Sequence, residues 1–521
     1  MKPVQEVLIV GGGTAGWLTA AYLAKTLGCG APGAVRITLA ESSTIGIIGV
    51  GEGSFPSLRG TLAAVGIDEA RFVRDAQATF KQGLRFDHWV RAPGASGPSR
   101  YFHPFSQPSQ RPGGPELLPY WLLGEAGRDT PFAAAATLQS HVADASHAPK
   151  RASDAPFQGS LNYAYHFDAG RLATLLGEHA RSLGVRHLIG TVEKVDLNPQ
   201  GDIGAVHTRE QGALHADLYI DCTGFRAGLI GSALGVPWRG LEDTLFVDRA
   251  LAVQVPYERA DAAIASYTIS SAQEAGWIWD IGLQQRRGLG YVYSSRHTDD
   301  ARAEQVLRQY AGPLAQDLPV RRLDLKVGYR ERPWVGNCVA VGLSGGFLEP
   351  LEASGVGLVE TAAYLIAHRF PYDGEMAAAA RGFNDFMRQR YERTVDFIKL
   401  HYALTQRRDT AFWTDNAELR SIPASLQERL ALWRCRPPHR LDFLTDIEMY
   451  PPSSWQYVLY GMEHRTELKA AAAGYPRRAD ARREFNTLRQ LGPRALADLP
   501  PHRTLVEQLC ARAGAPPAGS P

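Results

Sequence analysis

The chain has 521 residues, 45% hydrophobic and 21% charged, which is the profile of a globular protein with a large core. Its formal net charge is only +2, so the protein as a whole has no strong electrostatic attraction to nucleic acid or to a membrane surface. No pair among the five cysteines has metal-ligand or redox spacing, so we expect reduced thiols, no metal site and a cytoplasmic protein.

The N-terminal sequence predicts a dinucleotide site. EVLIVGGGTAGWLTAAYLAKTLG is typical of a strand, a glycine turn and a helix, and its apolar run is too short for a signal peptide or membrane span. Gly11 allows the tight turn, Gly13 lets a pyrophosphate approach the backbone, and Gly16 brings helix and strand together. The helix N-terminus offers N–H groups to the phosphates. Glu41 ends the next strand, where a carboxylate suits a ribose hydroxyl.

Two later segments extend this prediction to FAD. HADLYIDCTGF (215–225) is predicted to be an apolar strand ending in Asp-Cys-Thr-Gly, and NCVAVGLSGGFLEPLEASGVG (337–357) leads into the helix LVETAAYLIA. Three such segments suit a long FAD stretched across one domain. No second GxGxxG follows a strand, so we expect another protein to reduce the flavin.

The predicted class is α/β, and the predicted organisation has three parts. These are an FAD-binding portion at 1–375 with inserted substrate-side loops at about 85–160, a mostly helical substrate-binding portion at 376–512, and a flexible tail at 513–521. Residues 92–114 and 141–160 are rich in Pro, Gly, Ser and Ala and are predicted to be long loops.

With these elements in place, the sequence resembles the flavin-dependent halogenases, the tryptophan halogenase family. The resemblance runs in order from residue 1 to about 460 and is carried by GGGTAGW (11–17), IGVGEGSFP (48–56), ATFKQGLRF (78–86), YAYHFDAG (163–170), WIW (277–279), FLEPLEASG (347–355), VDFIKLHY (395–402) and RRDTAFW (407–413). It implies a Rossmann-like flavoprotein monooxygenase-type fold whose helical portion houses an aromatic substrate. It also implies that reduced FAD from a separate reductase, O2 and bound chloride or bromide yield hypohalous acid, which crosses a tunnel to the substrate.

The resemblance assigns catalysis to Lys81 and Glu352. An ammonium at Lys81 can hydrogen-bond hypohalous acid or, once deprotonated by desolvation, form a haloamine, and the sequence leaves both open. Outside this motif, Lys81 would be interpreted as a surface lysine. Glu352 is placed to polarise the oxidant or accept the ring proton, and it also suits the dipole of the helix that follows. Glu349 is the competing candidate.

Ser354 and Gly355 match the halide site, usually a threonine and a glycine, where a hydroxyl and a backbone N–H can hold a weakly hydrated anion. Ala353 replaces the family's common serine and removes one polar group near the halide. The same resemblance adds further cofactor contacts at Thr14, Ala15, Gly49, Val50, Gly51, Glu52, Val192, Leu343 and Val356.

Three aromatic positions match the substrate pocket. His103 and Phe105 match a pair that stacks the substrate ring, although both also fit as buried loop anchors, and Trp455 matches the second wall. TDIEMYPPS (445–453) lacks a match to the segment that grips an amino acid's amine and carboxylate. Tryptophan, indole and other electron-rich aromatics therefore stay open as substrates.

GWIWDIG (276–282) is predicted to be a strand with Trp277 and Trp279 on one face. A packed core strand would account for it, whereas the resemblance implies that the two indoles wall the flavin from the substrate. The family usually closes this motif with Ile-Pro, and Gly282 here predicts a freer backbone.

Two other functions stay open from the sequence. One is an FAD-dependent aromatic hydroxylase, which would need neither Lys81 nor Glu352, and the other is a non-catalytic flavin-binding protein. The expected partners are a flavin reductase and a small aromatic substrate, with no nucleic acid and no membrane, and the resemblance is compatible with a homodimer.

Overall fold

A computed structural model describes residues 3–46, 51–97, 100–127 and 129–514. The strands are β1 (Glu6–Val10), β2 (Arg36–Glu41), β3 (Glu52–Gly53), β4 (Thr79–Lys81), β5 (Gly83–Asp87), β6 (Arg100–Pro104), β7 (Ala164–Phe167), β8 (Arg186–Ile189), β9 (Val192–Leu197), β10 (Ile203–Thr208), β11 (Gly212–Leu214), β12 (Leu218–Asp221), β13 (Arg239–Gly240), β14 (Arg249–Pro256), β15 (Thr268–Ala272), β16 (Gly276–Gly282), β17 (Arg286–Tyr293), β18 (Arg321–Asp324), β19 (Gly328–Tyr329), β20 (Trp334–Val335), β21 (Cys338–Ala340) and β22 (Gly346–Phe347).

The α-helices are α1 (Thr14–Thr26), α2 (Ser57–Val65), α3 (Glu69–Asp75), α4 (Leu117–Leu122), α5 (Phe132–Ala136), α6 (Gln139–Asp144), α7 (Ala169–Ser182), α8 (Asp300–Ala311), α9 (Ser354–His368), α10 (Met376–Ala403), α11 (Ala411–Asn416), α12 (Ala424–Leu432), α13 (Pro452–Gly461), α14 (Arg478–Asp498) and α15 (His502–Gly514). The tail predicted from residue 513 begins inside α15, and residues 515–521 lie outside the described ranges. Within those ranges, no helix has the length and hydrophobicity needed to cross a bilayer.

The chain forms two compact units, each built from three separate stretches. Unit 1 comprises Met1–Ala78, Phe167–Leu241 and Leu325–Glu392, and unit 2 comprises Thr79–His166, Glu242–Asp324 and Arg393–Pro521. The chain therefore returns to each unit twice after leaving it.

Unit 1 is organised around a six-stranded sheet of order β20-β21-β12-β1-β2-β8. All neighbouring pairs are parallel except β20 with β21, and Val7 of β1 lies in register with Leu218 on one side and Ile37 on the other. The strand sequence EVLIV is almost continuously apolar because parallel strands are covered on both faces. α1 packs against α7 and α9, with the ring of Trp17 lying against Gly177.

Unit 2 is organised around a seven-stranded sheet of order β18-β14-β17-β16-β15-β5-β6. The β5–β15 pair is parallel and the other pairs are antiparallel. One face of this sheet forms a core in which Ile278, Tyr291 and Tyr293 pack with Leu307 of α8. Every residue of β16 is buried, so the strand predicted from GWIWDIG is confirmed as a central one.

The predicted α/β class and the helical C-terminal portion, from α9 to α15, are confirmed. The prediction that 92–114 and 141–160 are simply loops is wrong in part, because β6 lies in the first stretch and the end of α6 in the second. β6 forms because it pairs with β5 along its whole length, setting His103 opposite Leu84. This long-range pairing has no local sign in the Pro- and Gly-rich sequence around it.

Candidate active site

The glycine turn of unit 1 has the geometry of a phosphate cradle. Gly11 has φ +113°, and a Cβ added to it would lie 2.2 Å from the carbonyl oxygen of Cys222. A Cβ on Gly16 would lie 1.9 Å from the carbonyl oxygen of Gly11, so both positions require glycine. A Cβ on Gly13 would meet nothing within 4 Å, which leaves open space before the N-terminus of α1. A pyrophosphate fits such a space, where the first-turn N–H groups are free of intrahelical partners.

The side chains around this turn are polar where a dinucleotide needs them. The buried Oγ1 of Thr14 has no hydrogen-bond partner among the residues described. The carboxylate of Glu41 lies 2.8 Å from Nε2 of His187 and also covers Gly12, where a Cβ would come within 1.6 Å of Oε2. The residues present therefore fit FAD. Gly12 and His187 were missed from the sequence, although the run of three glycines was the available signal.

The remaining predicted cofactor residues of unit 1 are distributed over several elements. Leu343 lies in a short 3-10 helix beside Gly342, and a Cβ on Gly342 would lie 2.8 Å from the Cβ of Ala15. Val192 is the first residue of β9, and Val356 lies in the first turn of α9. Gly49 and Val50 lie outside the described residues.

Gly51 and Glu52 follow directly, with Gly51 at φ +111° and Glu52 in β3. Burial, together with the nearby carboxylate of Asp168, raises the pKa of Glu52 to about 7. Its carboxyl group can therefore carry a proton near neutral pH and donate as well as accept a hydrogen bond.

The predicted halide residues lie at the start of α9. Glu352 and Ala353 have φ values of +66° and +57°, and two successive left-handed residues without glycine are a costly backbone geometry that is concentrated at functional sites. The Oγ of Ser354 is buried and no described group hydrogen-bonds to it. Together with the first-turn N–H groups, this hydroxyl can receive an anion. Glu349 and Glu352 are both completely buried.

In unit 2, Lys81 lies at the end of β4 and has no exposed surface. Its strand pairs antiparallel with β7, and its Nζ lies 5.3 Å from the centroid of the Phe105 ring. Burial, the charge of Lys81 and His502 all lower the pKa of His166 well below its ordinary value, so this neighbouring imidazole is neutral. The amine of Lys81 therefore lies in the protein interior beside the Phe105 ring, which excludes a surface role.

The predicted ring-binding residues form one aromatic group in unit 2. The His103 ring lies 6.4 Å from Phe105 and 6.0 Å from Phe397, and Phe397 lies 5.0 Å from Trp455. Trp455 is completely buried, and the guanidinium of Arg429 lies 4.7 Å from its ring. Lys81, His103 and Phe105 are therefore brought together, and Trp455 joins them through Phe397.

The two tryptophans of β16 are held by their own sheet. Their rings are 6.4 Å apart, and Trp277 also lies 6.3 Å from Trp89. Trp279 covers Gly290 of β17, where a Cβ would come within 1.9 Å of the indole. The backbone freedom expected at Gly282 is restrained, because this residue is in register with Arg287 and its carbonyl accepts from Oγ1 of Thr79 at 2.6 Å.

A buried ion pair in unit 2 was also missed from the sequence. Glu448 accepts from Nη2 of Arg429 at 2.9 Å, although Glu448 lies in the stretch without a family match. In the described ranges, no group of three or more His, Cys, Asp or Glu side chains is arranged to hold a metal ion.

Comparison with known proteins places this geometry in context. A family model described as tryptophan halogenase matches residues 6–475. The tryptophan 6-halogenase SttH of Streptomyces toxytricini is 35% identical over 503 residues, covering 93% of this chain and 94% of that protein. A solved tryptophan halogenase from Shewanella frigidimarina superposes with a TM-score of 0.92 at 40% identity, covering 98% of both chains. A flavin-dependent halogenase from Xanthomonas campestris gives a TM-score of 0.87 at 35% identity, covering 98% of this chain and 99% of that one.

Proposed function

This chain belongs to the tryptophan halogenase family and is a flavin-dependent halogenase, an oxidoreductase, and on that premise we propose its reaction and the residues that perform it. The enzyme uses FADH2 from a separate flavin reductase, O2 and chloride or bromide to halogenate an electron-rich, indole-type ring. Tryptophan is the first candidate, because SttH and the Shewanella frigidimarina protein are named as tryptophan halogenases.

The proposed reaction balances in two steps. Bound FADH2 supplies the electrons with which O2, halide and a proton become hypohalous acid and water. The aromatic ring then exchanges one hydrogen for the halogen and releases a second water.

On the cofactor side, the open space at Gly13, the hydroxyl of Thr14 and the N-terminus of α1 bind the pyrophosphate. Glu41 accepts from a ribose hydroxyl. The Oγ of Ser354 and the backbone N–H of Gly355 hold the halide, and the buried, unused hydroxyl of Ser354 within the described structure supports this role.

On the substrate side, Lys81 holds the oxidant for attack by the ring, and His103 and Phe105 orient that ring. Glu352 accepts the proton that the ring loses, and Glu349 is the alternative acceptor. Trp277 and Trp279 separate the substrate from the flavin, which prevents direct oxygenation of the aromatic ring.

The observation that carries this proposal is the complete burial of Lys81. A lysine is almost never fully buried without a specific reason, because its ammonium loses hydration. Removal of this amine from water strengthens its hydrogen bond to hypohalous acid.

The decisive experiment is a substrate screen with the purified protein, FAD, a flavin reductase, NADH and either chloride or bromide. We expect a halogenated product from tryptophan or another indole, identified by mass and isotope pattern, that disappears when the halide or the reductase is left out. A product that gains oxygen and no halogen would assign a hydroxylase instead.

A further inference from the structure

The first residue of α15, His502, is a buried histidine bonded on both sides to backbone. Its Nε2 accepts the N–H of Phe80 at 2.8 Å, and its Nδ1 donates to the carbonyl oxygen of Ile264 at 3.0 Å. A backbone N–H can only donate and a carbonyl can only accept, so the ring has one proton, on Nδ1. The neutral form agrees with a pKa lowered to about 4 by burial.

This arrangement excludes proton transfer by His502. Both ring nitrogens are occupied by backbone groups that do not exchange protons during a reaction. The imidazole is therefore a fixed connection between two segments of unit 2.

The connection reaches the strand that presents Lys81. Phe80 immediately precedes Lys81 in β4, and its ring also lies 5.9 Å from the His502 ring. On the other side of Lys81, the backbone N–H of Gln82 donates to the carbonyl of Ser266 at 2.7 Å. The backbone of Lys81 is thus held between two neighbours whose N–H groups have fixed acceptors.

The Ile264 side of the connection depends on Gly282 and on a second residue of α15. A Cβ on Gly282 would lie 2.9 Å from Cγ2 of Ile264 and 3.0 Å from the hydroxyl of Tyr257. Arg503 donates to the carbonyl of Ala262 at 2.5 Å, and its guanidinium lies 5.3 Å from the Tyr257 ring. The missing side chain at Gly282 therefore makes room for a segment that α15 holds in place.

We propose that His502 is a positioning residue for Lys81, acting through the backbone N–H of Phe80. The inference rests on the proposed role of Lys81 in directing the oxidant. A displacement of about 1 Å in a reacting group can lower the rate roughly a hundredfold. Because α15 helps to fix the position of Lys81, it helps to determine what fraction of the hypohalous acid reacts with the aromatic substrate.

The test compares His502→Phe, which keeps a ring and removes both hydrogen bonds, with His502→Gln, which keeps one donor and one acceptor. For His502→Phe we expect kcat and the halogenated product formed per FADH2 consumed to fall roughly ten- to a hundredfold. The KM for the aromatic substrate and the affinity for FAD should stay unchanged, and the lost oxidant should appear on an added thiol scavenger. His502→Gln should restore most of the coupling, a rescue that loss of general stability would not give.

Arg512→Ala is the matched control, because Arg512 lies in the same helix and, among the residues that the structure describes, its side chain donates to the carbonyl of Ala152 at the surface. It should keep wild-type coupling. Wild-type kcat and coupling in a folded His502→Phe would overturn the proposal, and so would equal losses in His502→Phe and His502→Gln. If the wild-type protein forms no halogenated product in the substrate screen, the proposed function itself fails. If Lys81→Ala still halogenates, the role of Lys81 fails, and if only His502→Phe is unimpaired, the positioning role alone fails.

If His502→Phe does not fold, Gly282→Ala decides the question from the opposite side. Its Cβ must displace the side chain of Ile264 or of Tyr257 without deleting a hydrogen bond, so we expect the same loss of coupling at smaller amplitude. Gly60→Ala is its control, because a Cβ there meets nothing within 4 Å. Unchanged coupling in Gly282→Ala would overturn the proposal.

Discussion

A buried carboxylate of unit 1 and two largely buried guanidinium groups of unit 2 are held by different means. In unit 1, the carboxylate of Asp221 accepts from the backbone N–H groups of Leu229 at 2.9 Å and Ile230 at 2.8 Å. In unit 2, the guanidinium of Arg407 bonds Asp409 at 2.7 Å and lies 4.5 Å from the ring of Trp413. Arg429 repeats this arrangement with Glu448 and Trp455.

The two arrangements should respond differently to amino-acid substitution. Where backbone groups bind, as at the glycine turn and the start of α9, affinity depends on the path of the main chain. Where side chains and rings bind, as around Lys81, one truncation removes a chemical group and leaves the main chain in place. Substitutions at the glycine turn and at Ser354 should therefore change cofactor and halide affinity, and substitution of Lys81 should change the chemistry.

The largest expected effect is that of Lys81→Ala. Halogenation should fall by roughly 10²- to 10⁴-fold or to the detection limit, because a positioned proton-transfer or oxidant-binding group is lost. FAD affinity, measured by flavin fluorescence, should not change.

Lys150→Ala is the matched control for this variant. Lys150 is also buried in unit 2 and lies over an aromatic ring, that of Tyr163, at 5.6 Å. Substantial product from Lys81→Ala, or an equal loss in Lys150→Ala, would contradict the assigned role.

Glu360 of unit 1 differs from Asp221, because side-chain hydroxyls and not backbone N–H groups donate to its carboxyl group. It accepts from Ser57 at 2.9 Å and Thr61 at 2.5 Å, and burial raises its pKa to about 7 from 4.5. The folded state therefore binds this proton more tightly than the unfolded state, so its contribution is present below about pH 4.5 and is lost as the pH rises to about 7.

Glu360→Gln should remove that pH dependence. Between pH 5 and pH 8 the wild-type protein should lose about 3 kcal/mol more unfolding free energy than the variant. Urea titrations at both values measure the difference, and parallel curves for the two proteins would show that Glu360 does not titrate in this range.

Ser354→Ala tests the side-chain ligand of the proposed halide site. Removing a hydroxyl that bonds an anion should raise the KM for chloride about tenfold to a hundredfold, with FAD affinity unchanged. Thr361→Val, further along α9, is the control, because the hydroxyl of Thr361 already donates to the carbonyl of Gly357 and accepts from Arg390 at 2.7 Å. An unchanged chloride titration for Ser354→Ala would remove Ser354 from the halide site.

The smallest effect on activity should come from Gly13→Ala. Comparison with Gly11→Ala separates an effect on FAD affinity from an effect on stability. At Gly13 the added methyl enters open space in an extended backbone, so the fold should persist while FAD affinity falls about tenfold. Gly11→Ala should instead lower the melting temperature, because its Cβ would overlap the carbonyl of Cys222. Equal FAD affinity in Gly13→Ala and wild type would place the pyrophosphate elsewhere.

Much of unit 1 could be predicted from the sequence, because its signals are local. β1, the glycine turn and α1 are consecutive, and Glu41 follows at the end of the next strand. The role of Gly12 could not be predicted, since it depends on where the Glu41 carboxylate points after folding.

In unit 2 the sequence, through the family resemblance, named Lys81, His103 and the two tryptophans, but not what holds them. The acceptor for the Phe80 N–H lies 422 residues further along the chain, and no local pattern predicts such a pair. Trp279 against Gly290 and His103 in β6 likewise depend on strand pairing. The roles of these side chains in the reaction remain predictions, and Lys81→Ala tests the first of them.

The distance between Phe80 and His502 also has a consequence for biosynthesis. The ribosome releases the chain from its N-terminus, so β4 emerges long before α15. The acceptor of the Phe80 N–H is synthesised 422 residues after the donor. The strand that bears Lys81 is therefore completed by a helix that is synthesised much later, and the nascent chain cannot fix the position of that amine until α15 has left the ribosome.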